Sequence, residues 1–142
     1  MEHGDTDMDS NVESYVAMVA TQVRYWAESR APKEDHRLDG WCAIASARLF
    51  SELDKQGIKS EIHVWVAPSG EAHVYVVVDD HVVDVTATQF REFRSSFVVI
   101  IHQREAEQYE FYRTVEVFHS VKDLRKWQKK GRWPARQMAY VD

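Results

Sequence analysis

Cys42, His73 and Asp84 are the residues whose types and placement suit a reaction. A thiol can attack a carbonyl carbon, an imidazole can take and return the proton, and a carboxylate can hold the imidazole in orientation. Cys42 is the only cysteine and lies in Gly40-Trp41-Cys42-Ala43-Ile44-Ala45-Ser46, where a helix is expected to begin. The free N–H groups and the dipole at a helix start favour an anion, so this placement favours a thiolate and suits an oxyanion. His73 opens the strand-like run His73-Val74-Tyr75-Val76-Val77-Val78, and Asp84 lies in the returning run Val82-Val83-Asp84-Val85-Thr86. Each residue alone has a plainer reading, since free cysteine is among the most buried residue types. The reading rests on the three placements together.

Their geometry follows from the turn. If Asp79-Asp80 is a two-residue hairpin loop, Val78 opposes His81, Tyr75 opposes Asp84 and His73 opposes Thr86. Side chains alternate with period two, so His73 and Asp84 become diagonal neighbours on one face, roughly 7 Å apart at Cβ. A slip of one residue would put them on opposite faces.

The surrounding elements must hold that arrangement. Val12, Tyr15, Val16, Val19, Val23, Trp26 and Ala27 recur at helical spacing, predicting a helix capped by Ser10 or Asn11 and ended by Pro32. A charged loop with His36 follows. Asp39 or Gly40 is expected to cap a second helix running to Gly57, with Cys42, Ala45, Leu49, Phe50 and Leu53 on its inward stripe. Strands are expected over 58–67, 71–78 and 81–86, with Pro68-Ser69-Gly70 as a turn. Thr86, Thr88 and Gln89 leave the third strand as possible hydrogen-bond donors near the site. Phe97-Val98-Val99-Ile100-Ile101 reads as a buried strand, whereas 105–118 fits strand or helix equally. Ser120 and Asp123 start a C-terminal helix that stops at Gly131.

The chain of 142 residues, 44% hydrophobic and 29% charged, suits one globular domain over 10–142, with 1–9 as a flexible acidic tail. A formal net charge of -5 argues against nucleic acid as the partner. Lys122, Arg125, Lys126, Lys129, Lys130, Arg132 and Arg136 make the C-terminal helix basic, offering a face for an acidic partner. The start lacks a signal-peptide pattern and no apolar run reaches the ~20 residues that span a bilayer, so no membrane partner is expected. The lone cysteine favours a cytoplasmic setting. A metal site from Cys42, His63 and His73 is the weaker reading, because no tight ligand spacing is present. No cofactor is expected.

Gly40-Trp41-Cys42-Ala43 on a helix, His73-Val74-Tyr75-Val76 on a strand and Asp84-Val85-Thr86 on the next resemble the transglutaminase-like branch of the papain-like cysteine superfamily. The pattern is also similar to that of small phage and bacterial proteins. It spans about residues 38–90. The resemblance implies an α+β fold, a nucleophile helix packed on an antiparallel sheet with flanking N- and C-terminal helices, with Cys42 as nucleophile, His73 as base and later acid, and Asp84 orienting His73. Trp41, Thr86 and Gln89 are the candidates for oxyanion or substrate contacts. No papain-like glutamine precedes Cys42. The implied activity is an amide hydrolase or acyl transferase acting on a peptide or protein through a Cys42 thioester. Hydrolysis is favoured because water needs no second pocket. The alternative is a catalytically silent protein-binding module on the same fold.

Overall fold

The computed structural model describes residues 8–32 and 38–140. Its centre is the antiparallel meander of β1 (Glu61–Val66), β2 (Ala72–Val78) and β3 (His81–Asp84). Asp79 and Asp80 both take left-handed φ, 45° and 65°, as a two-residue hairpin turn requires. Val78 therefore pairs with His81, Val77 with Val82 and Val76 with Val83, the register expected from the turn. β4 (Val99–His102) adds to β3, and β5 (Glu116–Phe118) adds to β1. The result is one antiparallel sheet in the order β4-β3-β2-β1-β5.

The period of two separates the sheet's faces. Val76, Val78, Val83 and Val85 pack with α1 (Ser10–Arg30) and α2 (Cys42–Lys55). Ile62, Val64 and Val74 pack with the start of α2 and with α4 (Val121–Lys130). The opposite face carries Tyr75, Val77 and Val82 under Ala106, Phe111 and Tyr112. Three helices thus cover one face, while turns and the one-turn helix α3 (Gln103–Ala106) cover the other. No helix among the described residues is long and apolar enough to cross a membrane.

Arg24 ties α1 to the segment after β3. It is buried, bonds Glu28 at 2.9 Å and donates to the Val85 carbonyl (3.0 Å) and Thr88 Oγ1 (2.8 Å). A buried guanidinium needs such partners to offset its lost hydration. Here they anchor the stretch that carries Asp84, Thr86 and Gln89.

Several expectations are corrected. Asp9, not Ser10 or Asn11, caps α1, its carboxylate accepting from the Asn11 N–H at 2.8 Å. Met8, assigned to the tail, is buried in the core; residues 1–7 of that tail lie outside the described residues, as does His36. Neither Asp39 nor Gly40 caps α2. Trp41 holds the N-cap position with no side-chain bond, and Gly40 turns the chain at φ 81°. The buried strand expected over 97–101 is the edge strand β4, where Val99 is buried and Ile100 and Ile101 are half-buried. Ile100 packs toward the helix face and Ile101 toward the opposite face, but no strand among the described residues pairs beyond β4. The segment 105–118 is mixed: a helical turn, a 3-10 turn at Glu110–Tyr112 and then β5. Ser120 caps α4 as expected, accepting from the Asp123 N–H at 3.1 Å.

Candidate active site

His73 and Asp84 meet on the sheet face away from the helices. His73 Nε2 lies 2.7 Å from Asp84 Oδ2, and both residues are about 1% exposed. Asp84 has further donors: the Thr86 N–H reaches Oδ1 at 2.9 Å, and the Tyr112 hydroxyl reaches Oδ2 at 2.7 Å. The imidazole sits in an aromatic cage. Tyr75 stacks beside it at 5.6 Å, and Phe90 and Phe111 present edges at 4.6 and 6.2 Å. Such walls exclude water and strengthen the charge interaction inside.

These contacts set the protonation of the pair. Burial by itself would lower the His73 pKa. The charge and hydrogen bond of Asp84, helped by a hydrogen bond and charge interaction with Cys42, override it and raise the value to about 9. Burial pushes the Asp84 carboxyl up, but the His73 charge and the donors around it hold it below 3.8. At neutral pH the pair is an imidazolium facing a carboxylate.

Cys42 comes to this pair from the other face of the sheet. It is the first residue of α2, which packs against β2, and Sγ lies 4.0 Å from the carbonyl oxygen of Ala72, next to His73. The thiol therefore reaches the imidazole around the end of β2. Since Asp84 occupies Nε2, Nδ1 is the nitrogen left for the thiol. Gln89 Nε2 lies 3.3 Å from Nδ1, but it also donates to the Thr86 carbonyl (3.0 Å) and Thr86 Oγ1 (3.1 Å). An amide NH₂ has two hydrogens, and the two Thr86 oxygens account for both. Gln89 thus abuts Nδ1 without claiming it.

A cleft of about 720 Å³ opens over Cys42. Gly70, Glu71 and Ala72 form one side, Gln89 and Phe90 another, and the 131–137 stretch the third. The first N–H groups of α2 are not capped by any side chain of Trp41, leaving them for a ligand oxygen.

The structure brings together Cys42, His73, Asp84 and Gln89. It places Trp41 elsewhere: the indole packs with the α1 core, 6.4 Å from the Trp26 ring, and does not line the cleft. Thr86 is fully buried and serves Asp84 and Gln89 rather than the cleft. His63 belongs to neither a metal cluster nor the cleft. Its ring bonds Thr114 Oγ1 (2.8 Å) and Glu61 Oε1 (2.9 Å), and no group of three or more His, Cys, Asp or Glu among the described residues is gathered for a metal. Sequence reasoning missed Tyr112, 28 residues from Asp84, and the cleft wall at 131–137. Neither carries a local signal, because both arrive through contacts made only on folding.

Tyr112→Phe removes one hydrogen bond to a buried charge, so stability is expected to fall by about 1.5–2 kcal/mol at pH 6. The depressed Asp84 pKa supplies stability above 3.8 that is lost as pH falls through the folded value. Losing a donor raises that folded value, so the acid unfolding midpoint should move up. Urea titrations from pH 3 to 6 check both, and an unchanged midpoint would refute the role.

Comparison with protein-family models, curated proteins and solved structures finds no match to this chain.

Proposed function

We propose that this chain is a cysteine-dependent amide hydrolase or acyl transferase of the transglutaminase-like kind, working through a thioester on Cys42. One observation carries the reading: a sealed, charged His73–Asp84 pair stands beside the only thiol, and that thiol opens into a cleft. A buried ion pair is costly to build, and perturbed groups of this kind gather at working sites.

In the proposed reaction the Cys42 thiolate attacks the carbonyl carbon of a peptide or glutamine-like amide. A C–S bond forms, and the carbonyl oxygen takes the electron pair as an oxyanion facing the first N–H groups of α2. The His73 imidazolium gives its Nδ1 proton to the departing amine as the C–N bond breaks. Asp84 keeps the ring oriented throughout. Water, deprotonated by His73, then attacks the thioester and restores the thiol. An amine in place of water would give transfer; hydrolysis is favoured because water requires no second pocket. The lone thiol suits a reducing cytoplasm, and the basic face of α4, with Lys122, Lys126 and Lys129, suits an acidic protein partner.

p-Nitrophenyl acetate tests the acylation half-reaction. Wild-type protein is expected to release p-nitrophenolate in a burst of one equivalent and to carry the acetyl group on Cys42 by peptide mass mapping. Cys42→Ala should show neither. A folded wild-type protein with no acetyl group on Cys42 would leave the silent binding module as the better account.

A further inference from the structure

The cleft over Cys42 holds one amide that the fold leaves unused. Gln137 closes the 3-10 turn Ala135–Gln137, 95 positions after the nucleophile, yet it lines the same cleft. Its side chain packs directly on Gly40. A Cβ built on Gly40 would come within 3.0 Å of Gln137 Nε2 and 3.5 Å of its Cδ. Gly40 also has φ +81°, where a side chain is strained, so a glycine here serves both the turn into α2 and the room for this amide.

The backbone around Gln137 is clamped. Gln128, fully buried on α4, donates from Nε2 to the Gln137 carbonyl at 3.1 Å and accepts the Ala139 N–H at 2.9 Å. Arg125 donates to the Ala139 carbonyl. The Gln137 N–H bonds the Pro134 carbonyl at 2.9 Å. Two bonds thus fix the Gln137 main chain and two more hold Ala139 beyond it, while the Gln137 side-chain amide bonds no other group among the described residues. A half-buried amide, carried on a fixed main chain and packed against the residue two before the nucleophile, keeps its N–H groups for an acceptor in the cleft.

We propose that Gln137 is a catalytic residue whose side-chain N–H binds the oxyanion of the acyl group on Cys42, complementing the N–H groups at the start of α2. This rests on the reading of Cys42 as the nucleophile. It gives the 131–139 stretch after α4 a chemical role: the clamp by Gln128 positions the segment that carries the donor. The acceptor is a carbonyl oxygen that becomes tetrahedral, so the substrate class is an acyl compound attacked by sulfur.

A peptide aldehyde isolates this step. The Cys42 thiolate adds to the aldehyde carbon, a C–S bond forms and the C=O π pair moves to oxygen, giving a thiohemiacetal oxyanion beside the His73 imidazolium. Iodoacetamide alkylation uses the same thiol but displaces iodide and forms no oxyanion. The probe is acetyl-phenylalanyl-glycinal, ¹³C-labelled at the aldehyde carbon and followed by NMR, alongside iodoacetamide kinetics. Gln137→Met keeps length without a donor, and Gln137→Asn keeps the donor one methylene short. Both are expected to weaken thiohemiacetal formation about 10-fold or more, while alkylation stays within about twofold of wild type. Thermal melts confirm the fold, and if one variant does not fold the other carries the test. Aldehyde affinity unchanged in the folded variants, with normal wild-type adduct formation, would overturn the role of Gln137 and leave the Cys42 reading intact. A parallel fall in alkylation would overturn it too, because Gln137 would then act on the thiol rather than on the oxygen. A wild-type protein inert to both reagents would overturn the nucleophile itself, and this proposal with it.

Discussion

His73→Ala is expected to slow iodoacetamide alkylation of Cys42 at pH 6.5 by about 10²-fold, the scale at which a positioned acid–base group acts. The imidazolium that bonds the thiol in the wild type is a buried cation held by Asp84. Removing it takes away the group placed to receive the thiol's proton and to face the sulfur with a positive charge. The comparison carries its own control. Near pH 10 solvent hydroxide can take the proton that the imidazole would otherwise receive. The two rates should therefore converge there if the variant has only lost its partner. Rates that differ by the same factor at every pH would point to altered access. Equal rates at pH 6.5 would sink the Cys–His pairing.

Asp84→Asn is expected to cost about 3 kcal/mol of stability at pH 6, the lower end of the ~3–5 kcal/mol for stripping one partner from a buried charge pair. The lower end applies because His73 can escape by losing its proton. The sign of the pH dependence follows from the same residue. His73 has a folded pKa of about 9 against 6.5 when unperturbed. Its contribution is fully present below 6.5, declines above it, and is lost as pH rises through about 9. The wild type should therefore lose stability between pH 6.5 and 9 more steeply than Asp84→Asn, and the two curves should approach each other at the alkaline end. Denaturant midpoints at pH 6, 7.5 and 9 measure this. Parallel curves across that range would mean that His73 is not held charged by Asp84. The variant should also alkylate slowly, since a neutral ring offers the thiol no cation.

The sequence by itself determined the local geometry of the site. A two-residue Asp79-Asp80 turn between valine-rich runs allows one register, and period two then places His73 and Asp84 on a common face. The start of α2 at Cys42 was legible because Gly40 breaks the chain before an apolar stripe with helical spacing. The run of helices and the antiparallel meander followed from the same two periods, whose causes lie within a few residues. Tertiary structure decided the rest. The helices cover one face of the sheet while the His73–Asp84 pair occupies the other, so the thiol meets the imidazole only around the end of β2. No periodicity in either segment encodes that meeting. Trp41 and Thr86, adjacent to site residues in sequence, turn into the α1 core and toward Asp84, because burying an indole and satisfying a buried carboxylate outweigh proximity to the cleft. Tyr112 and Gln137 lie far along the chain and reach Asp84 and Gly40 through the cover of one face and the stretch after α4. Contacts of that separation form when the whole chain closes on one core, and a single sequence carries no local pattern for them.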